Sequence, residues 1–202
     1  MVTIPPENST AGAHSPPRYD WYAEIPAEKP LEQGDLLEAV PIVIPPISLT
    51  SASPRALGHE LSLELSFERF KVVVMTQSCD LVELGEEDQV ILCPRLDYRE
   101  LASDDSRFRG RDGWTKLVQG RFVGAHLINQ CEIGSHLFDY QVIDLQRVFS
   151  VPLVVVKQVA VNQGGRVRLL PPYREHLAQA FARQFMRVGL PFDLPRQYPY
   201  AR

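Results

Sequence analysis

The chain has 202 residues, 45% of them hydrophobic and 23% charged, with a formal net charge of −4. That length supports one well-buried core plus tails, and the composition is ordinary for a soluble globular protein. A pI near 5.7 excludes wholesale attraction to nucleic acid or membrane, and three cysteines, Cys79, Cys93 and Cys131, without framework spacing exclude a disulfide-stapled scaffold. With no apolar targeting core at the start and no run of 18 apolar residues, a reducing cytoplasm is the expected location, with no membrane partner.

Residues 1–30 are rich in Pro, Ser, Ala and Gly and poor in periodic apolar positions. They read as a disordered tail, with Trp21 and Tyr22 docking on the domain. The domain opens at LEQGDLLEAVPIVIPP, where Gly34-Asp35 is a turn signal and Leu36 to Ile44 a strand. Pro41 within it implies an edge or a bulge. A polar connection follows, and LSLELSFERF then alternates at Leu61, Leu63, Leu65 and Phe67, the period of a half-buried strand.

In KVVVMTQSCDLVE an apolar run drops straight into Thr76, Gln77, Ser78, Cys79 and Asp80. This predicts a central strand over Val72 to Met75, ending in a polar loop of the kind where single domains place a site. After the acidic turn GEEDQ, VILCP is the expected hairpin partner. Residues 95–121 interleave arginines with acids and read as short helices and a loop. AHLIN and FDYQVIDL are further strands; VFSVPLVVVKQVA fits strand by its β-branched run and helix by its length. NQGG then turns into a last strand, RVRLL. The segment PYREHLAQAFARQFMRVGLP is the clearest helix, over 173–188. Leu177, Phe181, Phe185 and Val188 share one face, His176, Arg183 and Arg187 lie opposite, and Gly189 with Pro191 stops it. The last eleven residues, 192–202, read as an extended tail.

The order of a Gly-Asp-initiated strand, a VVV strand ending in a polar loop, VILCP and QVIDLQRVFSVPL resembles the small β-barrel of the PemK/MazF-like toxins over roughly residues 32–155. The resemblance implies a groove that cuts single-stranded RNA with an Arg at the start of the central strand and a Ser or Thr after the next one. Here Arg69 or Lys71 stands nearest the first position, while Cys93-Pro94-Arg95 occupies the second, so the nuclease pair is incomplete. QSCDL together with PPYREHLAQAFARQFMRVGLP also looks like an uncharacterised bacterial family, which implies no activity.

Gln77, Ser78, Cys79 and Asp80 offer an amide, a hydroxyl, a thiol and a carboxylate within one turn. Cys79 as a thiolate nucleophile would take His126 as its base and Asp80 as orienter. The structural alternative is a turn in which Ser78 and Asp80 cap a short helix and Cys79 is a small buried hydrophobe. Cys79, Cys93, Cys131 and His126 are metal-ligand types, but their spacing is not that of a zinc site, and neither metal nor cofactor is expected. His126 in an apolar strand also fits a core histidine. The arginines of 95–121, with Phe108, Trp114 and Phe122 among them, could pair phosphates and stack bases in a single-strand groove, but the interleaved acids favour a solvated surface. The His176, Arg183, Arg187 stripe likewise fits the wet face of the helix, while an Arg pair at i, i+4 can also grip a phosphate or an acidic partner.

These readings converge on a mainly β fold with helices, β or α+β: a small SH3-like, PemK/MazF-type barrel in a single domain over 31–191, closed by the C-terminal helix. The expected function is a cytoplasmic bacterial binding or interaction module of toxin-barrel type, in a toxin–antitoxin or defence setting. Its site is expected to gather Ser78, Cys79, Asp80 and His126 in one concavity with Gln77, Arg69 and Arg95 as binding residues, Arg95 at the rim. An antitoxin or regulator is the expected protein partner, and a homodimer the expected assembly. The alternatives are an endoribonuclease acting on single-stranded RNA, and a Cys79-dependent hydrolase or thiol sensor.

Overall fold

The computed structural model of the protein describes residues 20–44 and 66–186. Its elements in chain order are β1 (Tyr22–Pro26), β2 (Asp35–Ile44), β3 (Ser66–Val74), α1 (Ser78–Glu83), β4 (Gln89–Asp97), α2 (Tyr98–Asp104), α3 (Gly110–Val118), β5 (Ala125–Ile128), β6 (Cys131–Ile133), β7 (His136–Phe138), β8 (Gln141–Asp144), β9 (Phe149–Pro152), α4 (Leu153–Asn162), β10 (Gly165–Leu169) and α5 (Tyr173–Phe185). The fold is α+β. An antiparallel sheet runs β1-β10-β2-β3-β4-β8-β5, β9 pairs the start of β4, and β6 and β7 form a separate hairpin.

The apolar run of β3 explains its central place. Val72 and Val74 point to one face of the sheet, where they pack with Leu37, Leu92, Leu81 of α1 and Leu153 and Val156 of α4. Val73 and Met75 point to the other, against Leu36, Cys93, Ile143, Leu169 and Leu177 of α5. A strand covered on both faces has no solvent side to make polar, so its sequence is a run rather than an alternation. Val72, Val73 and Val74 are fully buried and pair with β2 on one side and β4 on the other. The expected central strand and its VILCP partner are therefore present, with α1 inserted in the connection between them.

Gly34 fixes the entry to β2. At φ +88° its N–H donates to the Val74 carbonyl (2.9 Å) and its carbonyl accepts from Leu169 N–H (2.9 Å). That conformation is open to glycine and strained for other residues, and it delivers Asp35 into the interior. Further along, the register of β2 on β3 shifts between Leu37 and Val40, with Ala39 at φ +53°. This is the bulge that Pro41 implied, and β10 reaches only Asp35 and Leu36, so Pro41 sits where β2 has no second neighbour.

No closed barrel is found among the described residues, and several expectations need correction. Among the described residues β1 and β5 form no ladder with each other, and the two ends of the bent sheet are joined instead by the Tyr22 hydroxyl, which donates to the Asn129 carbonyl. Residues 20–30, assigned to the tail, include β1, which pairs with β10 over its whole length. Burial of Tyr22 and stacking of Trp21 on Tyr173 (3.6 Å between ring centroids, 7° between planes) are the docking expected of these two residues, and they hold the strand in place. Phe67 is exposed rather than half-buried. VFSVPLVVVKQVA is strand and helix in turn, switching at Leu153, and β10 consequently pairs with β1 and β2 rather than forming a hairpin with what precedes it. Residues 1–19, the connection 45–60, Leu61, Leu63, Leu65, Arg187, Val188, Gly189, Pro191 and the tail 192–202 lie outside the described residues.

Candidate functional site

The residues after β3 are mostly committed to the fold. Thr76 Oγ1 accepts from the Ile91 N–H (2.8 Å) and Ser78 Oγ from the Gln33 N–H (3.1 Å), while Gln33 Nε2 donates to the Met75 carbonyl (2.9 Å). Ser78 thus ties the 31–35 segment to the start of α1, and no side chain caps that helix. Cys79 is exposed, against the reading of it as a buried hydrophobe. Its thiol contacts Asp80 Oδ1 (3.4 Å) and Gln77 Oε1 (3.7 Å), and all of Gln77, Cys79 and Asp80 face solvent. Arg69 is exposed too, donating to the Ala39 carbonyl (3.1 Å) and lying over the Phe67 ring.

Arg95 is not at a rim. Its side chain is fully buried: Nε donates to the Val72 carbonyl (3.1 Å), one terminal nitrogen to Gln141 Oε1, and the other to Glu38 Oε1 and the Leu37 carbonyl. Burial pulls its pKa down and the Glu38 carboxylate opposes that. A guanidinium with its donors taken up by the sheet is a brace across the β2 bulge, closed to a phosphate.

A second brace escaped the sequence altogether. Asp35 and Arg166 are fully buried and Arg168 nearly so. The Asp35 carboxylate accepts from Arg166 Nε (2.6 Å), Arg168 Nε and Nη2 (3.1 Å) and the Glu32 N–H (3.0 Å). The remaining guanidinium donors go to Glu32 and to the carbonyls of Pro26, Lys29 and Pro30. The 26–35 segment is thereby clamped over β10. The Gly34-Asp35 turn and the Arg-Val-Arg alternation were the available signals, but their pairing spans more than 130 residues.

His126 lies elsewhere. It sits on β5 opposite Ile143 and lines a cavity of about 500 Å³ between the 118–126 segment and α5. Residues 77–80 and Arg95 are not part of its lining. From α5 come His176, Gln179, Ala180, Arg183 and Gln184, positions i, i+3, i+4, i+7 and i+8 of one helical stripe. Leu177 and Phe181 carry the neighbouring stripe into the core. The helix therefore has an apolar face as expected, but its His176 and Arg183 face looks onto a cavity rather than open solvent.

The electrostatics of this cavity are one-sided. No Asp or Glu is among its lining residues, whereas His126, His176 and Arg183 are. Burial pushes the His126 pKa down to about 4, helped by the positive potential of His176 and Arg183, so at neutral pH its ring is uncharged. Gln184 Oε1, also in the lining, is buried without a hydrogen-bond partner. The size is that of a small-molecule site. Arg183, by contrast, is exposed, and its Nε donates to the Gln179 carbonyl one turn back (3.3 Å). Sequence reading found His126 and named His176 and Arg183, yet could not bring them together, because β5 and α5 meet only through the folded sheet.

Comparison of the chain with models of known protein families and with curated proteins finds no match to either. Among the described residues no group of three or more His, Cys, Asp and Glu side chains is placed to hold a metal ion. No described helix is long and apolar enough to cross a membrane.

Proposed function

We propose that this protein is a binding module for small anionic ligands, seated in the cavity between the 118–126 segment and α5. The observation that carries the reading is the convergence of His126, His176 and Arg183 on a cavity whose lining contains no carboxylate. Among the described lining residues an anion meets positive potential with no competing acid. Arg183 supplies a fixed charge and a forked donor set; neutral His126 supplies orientation from the cavity wall.

A PemK/MazF-like endoribonuclease has less support, since Arg95 is sealed inside the sheet and Ser78 is engaged by Gln33. A thiolate dyad has less support too, as Cys79 is exposed and is not among the residues lining the cavity that holds His126. The test is a titration of the protein with inorganic phosphate and with acetate at low salt, followed through the ring C–H resonances of His126 and His176. Saturable shifts at both rings are expected, weakened at least tenfold by Arg183→Ala. Rings that do not respond to either anion refute the proposal.

A further inference from the structure

We infer that the ligand of this cavity is a phosphomonoester with an apolar body, and that His126 takes up a proton as it binds; the inference rests on the anion-binding reading above. The argument begins with charge. Among the described residues Arg183 is the one permanent cation in the lining, and it neutralises a carboxylate or any other monoanion by itself. A dianion leaves one negative charge over, enclosed beside His126. A proton from solvent placed on the imidazole cancels that charge, forming the imidazolium with no other bond made or broken.

The surroundings of His126 favour this response. Burial, His176 and Arg183 are what keep the empty site's ring neutral. A phosphate dianion screens both cations and reverses the potential at the ring, so two of these three causes change sign together. Among the described residues no other charged side chain lines the cavity. β8 presents Ile143 opposite His126 and Leu145 in the wall, and the 118–124 segment places no titratable side chain in the lining. Asp144, opposite Ala125 on β8, lines a separate, smaller cavity with Arg107. His176 is exposed, so its interaction with a ligand is screened by water.

The size and wall set the rest of the ligand. A space of about 500 Å³ is far larger than a phosphate ion, and Val118, Val123, Leu145 and Ala180 line it with apolar surface. The favoured occupant therefore joins a phosphate to an apolar group, the phosphate's second ionisation near pH 6 making it a dianion at neutral pH.

The test uses three probes sharing one body: phenyl phosphate, phenyl sulfate and benzoate. Isothermal titration calorimetry at pH 7.5, in two buffers of different ionisation enthalpy, reads affinity and protons taken up per ligand bound. Phenyl phosphate should bind at least tenfold more tightly than the two monoanions, with close to one proton taken up. His126→Gln should abolish the uptake. Binding of phenyl phosphate without uptake by the unmodified protein, uptake that survives His126→Gln, or equal affinity for all three probes overturns this inference while leaving an anion site. Failure of every probe to bind overturns the anion-binding reading with it.

Discussion

Replacing Asp35 by Asn tests whether the buried carboxylate holds the sheet together. The substitution is nearly isosteric, so packing is kept and the chemistry alone changes. One carboxylate oxygen becomes an NH2 group that cannot accept. If it takes the place of Oδ1, the bond from Arg168 Nε is lost; if it takes that of Oδ2, the bonds from Arg166 Nε, Arg168 Nη2 and the Glu32 N–H go instead. The less damaging orientation still removes one charge-assisted hydrogen bond, about 1.5–3 kcal/mol. It also leaves the fully buried Arg166 guanidinium without a counter-charge. Breaking a buried ion pair from one side costs about 3–5 kcal/mol, and we expect about 4 kcal/mol here. Single-domain stabilities run to about 5–15 kcal/mol, so the effect is large. In urea, with a slope of about 2 kcal/mol per molar, the midpoint should fall by about 2 M with the slope unchanged. Arg168→Met removes the other guanidinium that Asp35 accepts from, so the double variant should lose less than the sum of the singles, by about 2 kcal/mol. A loss below about 1 kcal/mol for Asp35→Asn, or simple additivity in the cycle, would show that this network does not clamp the 26–35 segment.

Two further outcomes are expected. Because the folded state holds His126 at about 4 against about 6.5 when unfolded, the unfolded chain binds the extra proton on acidification. The associated stability is therefore complete above pH 6.5 and is lost as pH falls to 4, by about 3 kcal/mol at most; His126→Gln should flatten that part of the pH–stability curve, and an unchanged curve contradicts a neutral buried ring. Thiol labelling of the native protein with a chromogenic disulfide should give one fast equivalent, removed by Cys79→Ser. Cys93 and Cys131 are buried, and burial pushes the Cys93 thiol up to about 12, so two or three fast equivalents would mean that the sheet interior opens readily.

What the sequence made legible was local. The Val72–Val74 run, the Pro41 bulge, the Gly34-Asp35 turn and the amphipathic last helix each carry their signal within a few residues, and each is present. The misread elements depended on partners far along the chain. Arg166 and Arg168 look like the wet side of an alternating strand, and become interior only because Asp35, Glu32 and the Pro30 carbonyl fold over them. Leu153 to Val161 is β-branched enough to be a strand, yet Leu153, Val156 and Ala160 are buried on one side of a helix against the sheet. At the site, His126 was singled out by its chemistry, while its neighbours were assigned by sequence proximity to the polar loop after β3. The cavity that His126 lines does not include residues 77–80; α5, more than 45 residues later, supplies part of its lining.

The place of β10 between β1 and β2 bears on how the chain is made. During synthesis β1, β2 and β3 leave the ribosome long before residues 165–169, so β2 meets β3 while its other edge and the whole of β1 have no partner. Unpaired apolar edges are where nascent chains join one another. The charged side chains of the segment between them then have a second consequence: until Arg166 and Arg168 arrive, Glu32 and Asp35 stand uncompensated beside the open edge, and their like charges repel the same edge on a neighbouring chain. The last strand both completes the sheet and cancels that repulsion, so protection lasts just as long as the edge needs it.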